Sequence, residues 1–437
     1  MVIILKLEII QPYHPTNVRL FGKMYMSSLT PPILAGLNPP DVEVSITDEN
    51  VEEIDFNKPV DLVCITTLTP SAPRAYEIAD EFRTRGVKVV MGGVHPTLVP
   101  EEAIAHADAI ILGEAEGVWQ KMLDDFRRGS LQKFYRSKKK PDLTNLSRPR
   151  RDLMNEKAYV NVPKVETSRG CPFNCSFCST TTFFGNNIRY RPIQEVVQEI
   201  KDLKERFIFF TDNNIVGNPK YAKELFKALI PLKIKWISQG SLNLAKDWSL
   251  LKLAASSGCV GILMGFESLV NEAIEAMGKK VNKIIEYAEA IRRIHSQGIG
   301  IIGCFVFGFD EEDPGVFKRT VNFIKRLNIE VPQLTVLTPY PGTALREKLE
   351  ETGRILHNRW EKYDTTHVVF HPKLMSPEEF RAHYDWACQK VYSYWAIFMR
   401  MLKSLRHLRS IYKFFVFWQI NVVYRRLYQI SLRDHHL

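Results

Sequence analysis

No stretch of this sequence supplies the roughly 18 consecutive uncharged apolar residues that a bilayer-spanning helix needs. Even IYKFFVFWQINVVY is interrupted by Lys413, Gln419 and Asn421. The apolar start, MVIILKLEII, lacks a small-residue cleavage site and carries Lys6 and Glu8, so it reads as a first core strand rather than a secretory leader. Cysteine is scarce and unevenly spaced: Cys64, Cys171, Cys175, Cys178, Cys259, Cys304 and Cys388 are an odd seven in 437 residues. That excludes a secreted disulfide framework and fits a reducing cytosol. There is no tandem repeat. Apolar residues are not lacking, since 45% hydrophobic content suffices for the cores of two or three domains.

What the chain does hold is alternation. Residues 2–10, 61–67 (DLVCITT), 87–91 (VKVVM) and 108–112 (DAIIL) are short strand-like runs separated by helical stretches such as SAPRAYEIADEFRTRG. Strands alternating with helices predict a parallel sheet covered on both faces, with a ligand beyond the carboxyl ends of the strands. The loops there are TTLTPSAP, GGVHP and GEAEG. The basic, proline-bearing run RSKKKPDLTNLSRPRR, Arg136 to Arg151, predicts an exposed linker. A second alternation follows through KVETSRGC, RFIFFTDNN, KWISQGSL, GCVGILMGFES, GIGIIGCFVFGFD and PQLTVLTPYPG. Six βα units in a row imply a barrel or partial barrel, with its chemistry at the carboxyl ends of the strands. From about residue 375 the pattern is helical. The expected fold is therefore α/β: a Rossmann-like domain over 1–135, a basic linker over 136–158, a partial (β/α)6 barrel over 159–374, and a helical extension over 375–437.

Three of the seven cysteines lie within TSRGCPFNCSFCSTTTFFG. Cys171, Cys175 and Cys178 have the spacing C-x3-C-x2-C at the end of the barrel's first strand. Thiolates ligate zinc or iron–sulfur clusters, and no fourth Cys or His is adjacent to close a zinc site. Three thiolates on a four-iron cluster would leave one iron open. With Phe177 directly before the third cysteine, the motif resembles the signature of the radical S-adenosylmethionine (SAM) superfamily. The resemblance implies a [4Fe–4S] cluster on these cysteines and SAM on the open iron, cleaved by one electron from a ferredoxin or flavodoxin. It also implies SAM contacts from later strand ends: Asp212 and Asn213 in TDNN, Gln239 in ISQGS, and Glu267 and Ser268 in GFES. Such residues also serve as caps and turns wherever a strand meets a helix. Cys259, Cys304 and Cys388 lie in apolar surroundings and read as core packing.

The amino-terminal segment resembles the cobalamin-binding domain of B12-dependent radical SAM enzymes, from PPILAGL through GEAEGVW. Thr66, Thr67, Gly92, Gly93, Gly113 and Glu114 would then line the cobalamin pocket. The D-x-H-x-x-G segment that supplies a lower histidine ligand is absent, and His95 in GGVHP does not replace it. A methylthiotransferase is disfavoured, because only Cys64 lies upstream where a second cluster would need three cysteines. The implied reaction is methylation of an unactivated carbon, with methylcobalamin as donor and SAM as both radical source and methyl source. Cyclisation or rearrangement of a lipid or tetrapyrrole is the alternative. Tyr340 in LTPYPGT is placed either to touch substrate or to form a rigid turn.

Net charge is +10. In the carboxyl-terminal segment, Lys and Arg interleave with bulky aliphatic and aromatic residues, which disfavours nucleic acid. Two readings of these helices stay open: packing over the barrel, or peripheral contact with a membrane. The segment YDTTHVVFHPKLMSPEEF resembles the tail of hopanoid methylases, while other such enzymes modify protein side chains. The substrate is therefore expected to be a lipid, a tetrapyrrole or a protein side chain.

Overall fold

The computed structural model describes residues 4–20, 22–24, 26–279 and 281–433. Met1, Val2 and Ile3 of the expected first strand lie outside them; the strand itself, β1, runs Leu5–Gln11. It is joined by β2 (Val42–Asp48), β3 (Leu62–Thr66), β4 (Lys88–Gly92), β5 (Ala109–Leu112) and β6 (Phe134–Arg136). All pair in parallel, in the order β2-β1-β3-β4-β5-β6. Every residue of β3 is buried, as expected of a strand covered on both faces. The order reverses between β1 and β3, where a doubly wound sheet opens its binding crevice.

Two of these six strands were not among the four strand-like runs. Glu43, Ser45 and Asp48 break the apolar pattern of the edge strand β2, and β6 has only three residues. The basic run after β6 is also less of a free linker than its composition suggests. Arg150 N donates to the Pro32 carbonyl of the first domain (2.9 Å), while Arg148 and Arg151 pair with Asp202 and Glu199 of the second.

The second sheet comprises β7 (Lys164–Val165), β8 (Phe207–Phe210), β9 (Lys235–Gly240), β10 (Cys259–Glu267), β11 (Gly300–Phe307) and β12 (Val331–Val336). It is parallel throughout, in the order β12-β11-β10-β9-β8-β7. Among the described residues β7 and β12 do not pair, so this is the expected partial barrel. The first strand stops at Val165, well short of the cysteines. Asp212, just past β8, accepts from Thr167 N (3.1 Å), Thr167 Oγ1 (2.6 Å) and the Ser168 hydroxyl, which pulls the chain off the sheet before the cluster loop.

Three helices end the chain, Pro377–Tyr392, Tyr394–Leu408 and Ile411–Arg433. The first opens with a reciprocal cap between Ser376 and Glu379. The last presents Phe417 to Gly261 and Gly300, near the starts of β10 and β11. A Cβ on either glycine would lie 2.7 or 2.3 Å from its ring. The tail thus packs against the amino-terminal end of the barrel. Glu330 fastens it from beneath: its buried carboxylate accepts from Ile301 N (2.7 Å), Ser404 Oγ (3.0 Å), His295 (3.2 Å) and His407. Burial alone would raise this carboxyl, but the two imidazoles hold it well below the usual range. Phe417→Ala removes a fully buried ring and should cost about 3–5 kcal/mol, read as a lower denaturant midpoint at unchanged slope.

Candidate active site

The cysteine loop is held from three directions. Ser176 N donates to the Met277 carbonyl (3.1 Å), Leu345 N donates to the Ser176 carbonyl (2.9 Å), and Cys178 N closes a turn on Cys175 O (3.1 Å). Gly170 enters it at φ +96°, where a Cβ would meet the Asn187 carbonyl at 2.8 Å, so a side chain there would displace the loop. Cys171, Cys175 and Cys178 are all free and half-buried. They do not gather with all three sulfurs within 4.8 Å of one another, as donors to a single ion would. Such spread thiolates suit a cluster, in which each binds its own iron. Burial raises the Cys175 thiol to about 12 and raises Cys171 too, so loading the site displaces protons.

Two groups beside the loop escaped the sequence reading. Asn214, next to the predicted Asn213, hydrogen-bonds Cys171, and its buried Oδ1 has no protein partner. It is an acceptor left for a bound donor, which the amino group of SAM would satisfy. Lys279 is buried between the Glu267 carboxylate and the Gly265 carbonyl (2.9 Å), and its charge acts on Cys175. Glu267, at the end of β10, adopts φ +64°, a left-handed conformation costly for a side chain. A Cβ on Gly265 would meet its Oε1 at 2.1 Å. Nothing in AMGKK marks Lys279 by type or spacing; only the fold brings it back to the cysteines.

The other predicted contacts take different places. Asp212 is fully buried and engaged by Thr167 and Ser168, so it positions the cluster loop. Asn213 accepts from Thr180 Oγ1 (3.3 Å), on the helix after Cys178. Ser268 donates to Glu312 (2.6 Å), which in turn accepts from Gly308 N and Phe309 N. Gln239 is the penultimate residue of β9, where its carbonyl accepts from Ile215 N (3.0 Å). Tyr340 packs into the apolar cluster between the domains, and burial raises its hydroxyl. Two residues on, a Cβ at Gly342 would meet Thr182 at 3.1 Å and Leu98 at 3.3 Å, so this Pro-Tyr-Pro turn is a rigid wedge.

A cavity of about 500 Å³ lies between the carboxyl ends of the first sheet and the segments that flank the cluster loop, Lys164, Glu166 and Arg169 before it and Phe183 and Phe184 after it. Thr66, Thr67, Gly92, Gly93, Gly113 and Glu114 all line it, opposite Phe183 and Phe184 from the helix after Cys178. Gly93 has φ +102°, and a Cβ would meet the Thr67 carbonyl at 2.6 Å. The backbone here is drawn in to make room, as a large flat cofactor requires. Glu114 reaches the cavity, but its carboxylate is taken by Arg169 (2.8 Å) and Arg189 (2.7 Å). His14 is the one histidine among the described lining residues. Its Nδ1 accepts from Thr16 N (3.2 Å), which puts the proton on Nε2 and leaves no lone pair for cobalt. His95 points away into the core, bonded to the Tyr76 hydroxyl (3.0 Å). The residues therefore fit a cobalamin without a lower histidine.

Comparison with known proteins agrees with this geometry. The B12 binding domain matches residues 33–122, the Radical SAM superfamily residues 165–324, and a domain of unknown function (DUF4070) residues 343–431. The chain is 32% identical over 406 residues to bacteriochlorophyllide d C-12(1)-methyltransferase of Chlorobaculum tepidum, covering 90% of this chain and 88% of that one. It is 33% identical to the C-8(2)-methyltransferase of the same organism, covering 86% and 88%. Among solved structures, the cobalamin-dependent SAM radical enzyme OxsB superposes with a TM-score of 0.70 at 14% identity, over 97% of this chain and 72% of OxsB. The chain belongs to the cobalamin-dependent radical SAM enzymes, whose cofactors are a [4Fe–4S] cluster, SAM and cobalamin.

Proposed function

We propose that the chain methylates an unactivated sp3 carbon of a large, mostly apolar molecule, of the tetrapyrrole or polycyclic lipid kind. The observation that carries this reading is that the 500 Å³ cavity is lined from both sides of the cluster loop, by Arg169 before it and by Phe183 and Phe184 on the helix after it. When bound, the cluster and SAM supply a 5'-deoxyadenosyl radical, cobalamin supplies the methyl group, and a ferredoxin or flavodoxin supplies electrons. The protein's own residues bind and position. Cys171, Cys175 and Cys178 hold the cluster, Lys279 offsets negative charge beside Cys175, and Asn214 and Glu267 orient SAM. The aromatic pair and the Pro-Tyr-Pro wedge keep water from the space between the domains.

Anaerobic reconstitution tests this directly. The reduced protein should cleave SAM to 5'-deoxyadenosine and bind about one cobalamin per chain. Gly93→Ala should lose cobalamin absorbance while keeping the iron content and the cluster absorbance. Cobalamin retained in that variant, or SAM left intact by the wild type, would contradict the reading.

No helix among the described residues is long and apolar enough to cross a membrane. The tail nonetheless leaves Tyr394, Trp395, Phe398, Leu402, Ile411 and Phe415 exposed, Trp395 at 70% and Ile411 at 74%. No Asp or Glu occurs from Trp386 to Arg433, while Lys403, Arg406 and Arg409 are exposed among these side chains. This face suits an anionic lipid surface from which an apolar substrate could be drawn. The protein should float with vesicles containing phosphatidylglycerol, less with neutral ones, and Trp395→Asp with Phe398→Asp should release it.

A further inference from the structure

A second cavity, of about 380 Å³, occupies the barrel interior. Its walls include Phe209, Ile237, Leu263 and Ile302 from four strands, and the last helix adds Tyr424 and Leu427. It adjoins the cobalamin cavity: Asn17, Met26 and Lys164 line both. Lys164 opens β7, at the unpaired edge of the barrel, so it stands at the passage between the two spaces.

The charged groups around this passage are hydrogen-bonded or ion-paired, with one exception. Arg169 is held by Glu114, Glu116 and Glu166. Asp48 accepts from the Tyr159 hydroxyl (2.7 Å) and from Asn50. Asp364 accepts from Thr366 and pairs with His367 (2.9 Å). The Lys164 ammonium has no hydrogen bond and no ion pair among the described residues. Burial lowers its pKa to about 8, against the opposing pull of Asp48, even though Lys164 keeps accessible surface. Surface that is accessible yet desolvated is cavity surface. An ammonium desolvated in a cavity, with Asp48 acting on it only through space and no carboxylate within ion-pair distance, is destabilised until an anion binds it directly.

We propose that Lys164 recognises the substrate: an apolar body fills the barrel cavity and an anionic group on it, a carboxylate, sits on the Lys164 ammonium. Resting on the functional reading above, this assignment narrows the substrate class to amphiphiles with a negative charge at one end. A single charged anchor at the passage also fixes which carbon faces the cofactor space, since the apolar walls by themselves leave the molecule free to turn.

The test uses holoenzyme carrying cluster and cobalamin, titrated with protoporphyrin IX, which has two free carboxylates, and with its dimethyl ester. Wild type should bind the diacid at least about tenfold more tightly than the ester, equivalent to about 1.4 kcal/mol. Lys164→Met should bind both as weakly as wild type binds the ester, and Lys164→Arg should recover most of the preference. Cobalamin absorbance per chain should be the same in all three proteins. Because the ammonium has no protein partner, the Met variant sacrifices no contact that holds the fold. Equal binding of acid and ester by wild type, or no binding of either, overturns the assignment. So does loss of cobalamin from Lys164→Met with the acid preference intact, which would give the ammonium to the cofactor's phosphate. SAM cleavage and cobalamin loading are read separately. A missing preference in an enzyme with both intact sinks the Lys164 assignment alone, and an enzyme that cleaves no SAM sinks the functional reading.

Discussion

Replacing any one of Cys171, Cys175 or Cys178 with alanine should reduce SAM cleavage to the limit of detection while leaving cobalamin bound. The stretch from Thr167 to Gly185 holds no fourth Cys and no His, so each cysteine would be the sole tether of its iron from this loop, and two tethers do not hold a cluster whose remaining iron must bind SAM. The cobalamin cavity does not depend on these sulfurs. Its floor is Thr66, Thr67, Gly92, Gly93 and Gly113, fixed by backbone on the first sheet. The expected outcome is therefore split: iron content and cluster absorbance fall, cobalamin absorbance persists, and no 5'-deoxyadenosine forms. Cys388→Ala is the matched control. That cysteine is buried in the barrel core, away from the loop, and its loss should cost about 1–2 kcal/mol of stability with the cluster intact. A cysteine variant that still cleaved SAM would remove the basis for assigning the cluster to this loop.

What could be read in advance divides along a physical line. The cysteine motif and the glycine-bearing strand ends are local signals, and all six residues expected around the cobalamin line one cavity. The groups that surround the cluster are not local. Lys279 and Met277 return to the loop from the turn after the helix Asn271–Ala276, about a hundred residues on, and Asn214 rather than Asn213 faces Cys171 because the turn after β8 is set by Asp212. Sequence spacing identified Asp212 as polar and at a strand end; only the structure shows its carboxylate spent on Thr167 and Ser168. The tail was legible as amphipathic, with packing over the barrel as one of its two readings, but the seat of that packing was not. Phe417 finds its seat over Gly261 and Gly300, two glycines that look like ordinary strand residues until the helix is placed over them.

Arg169→Met should loosen the joint between the two domains by about 3–5 kcal/mol at pH 8, the range expected when one partner of a buried ionic network is removed. Arg169 is 5% exposed and contacts Glu114 at 2.8 Å, Glu116 at 2.7 Å and Glu166 at 2.8 Å. The first two carboxylates belong to the cobalamin domain, the third to the barrel. Arg169 also lies two residues before Cys171, so the network sets the angle at which the cluster loop leaves the sheet. Removing it strands Glu116 and Glu166, whereas Glu114 keeps Arg189. The pH dependence follows from Glu166. Burial raises its carboxyl from 4.5 to about 7 even with Arg169 opposing. A folded-state pKa above the unfolded one means that its stabilising contribution is complete below about 4.5 and is lost as pH rises through about 7. Without the guanidinium the carboxyl titrates higher still, so the variant's deficit should be larger at pH 8 than at pH 6, by about 1 kcal/mol. Denaturant unfolding of both proteins at the two pH values measures this. Arg169→Lys should recover only part of the loss, because one ammonium cannot present the planar fork that spans three carboxylates. A deficit equal at both pH values would mean that the variant loses packing alone, and that the carboxylates facing Arg169 are satisfied by other groups.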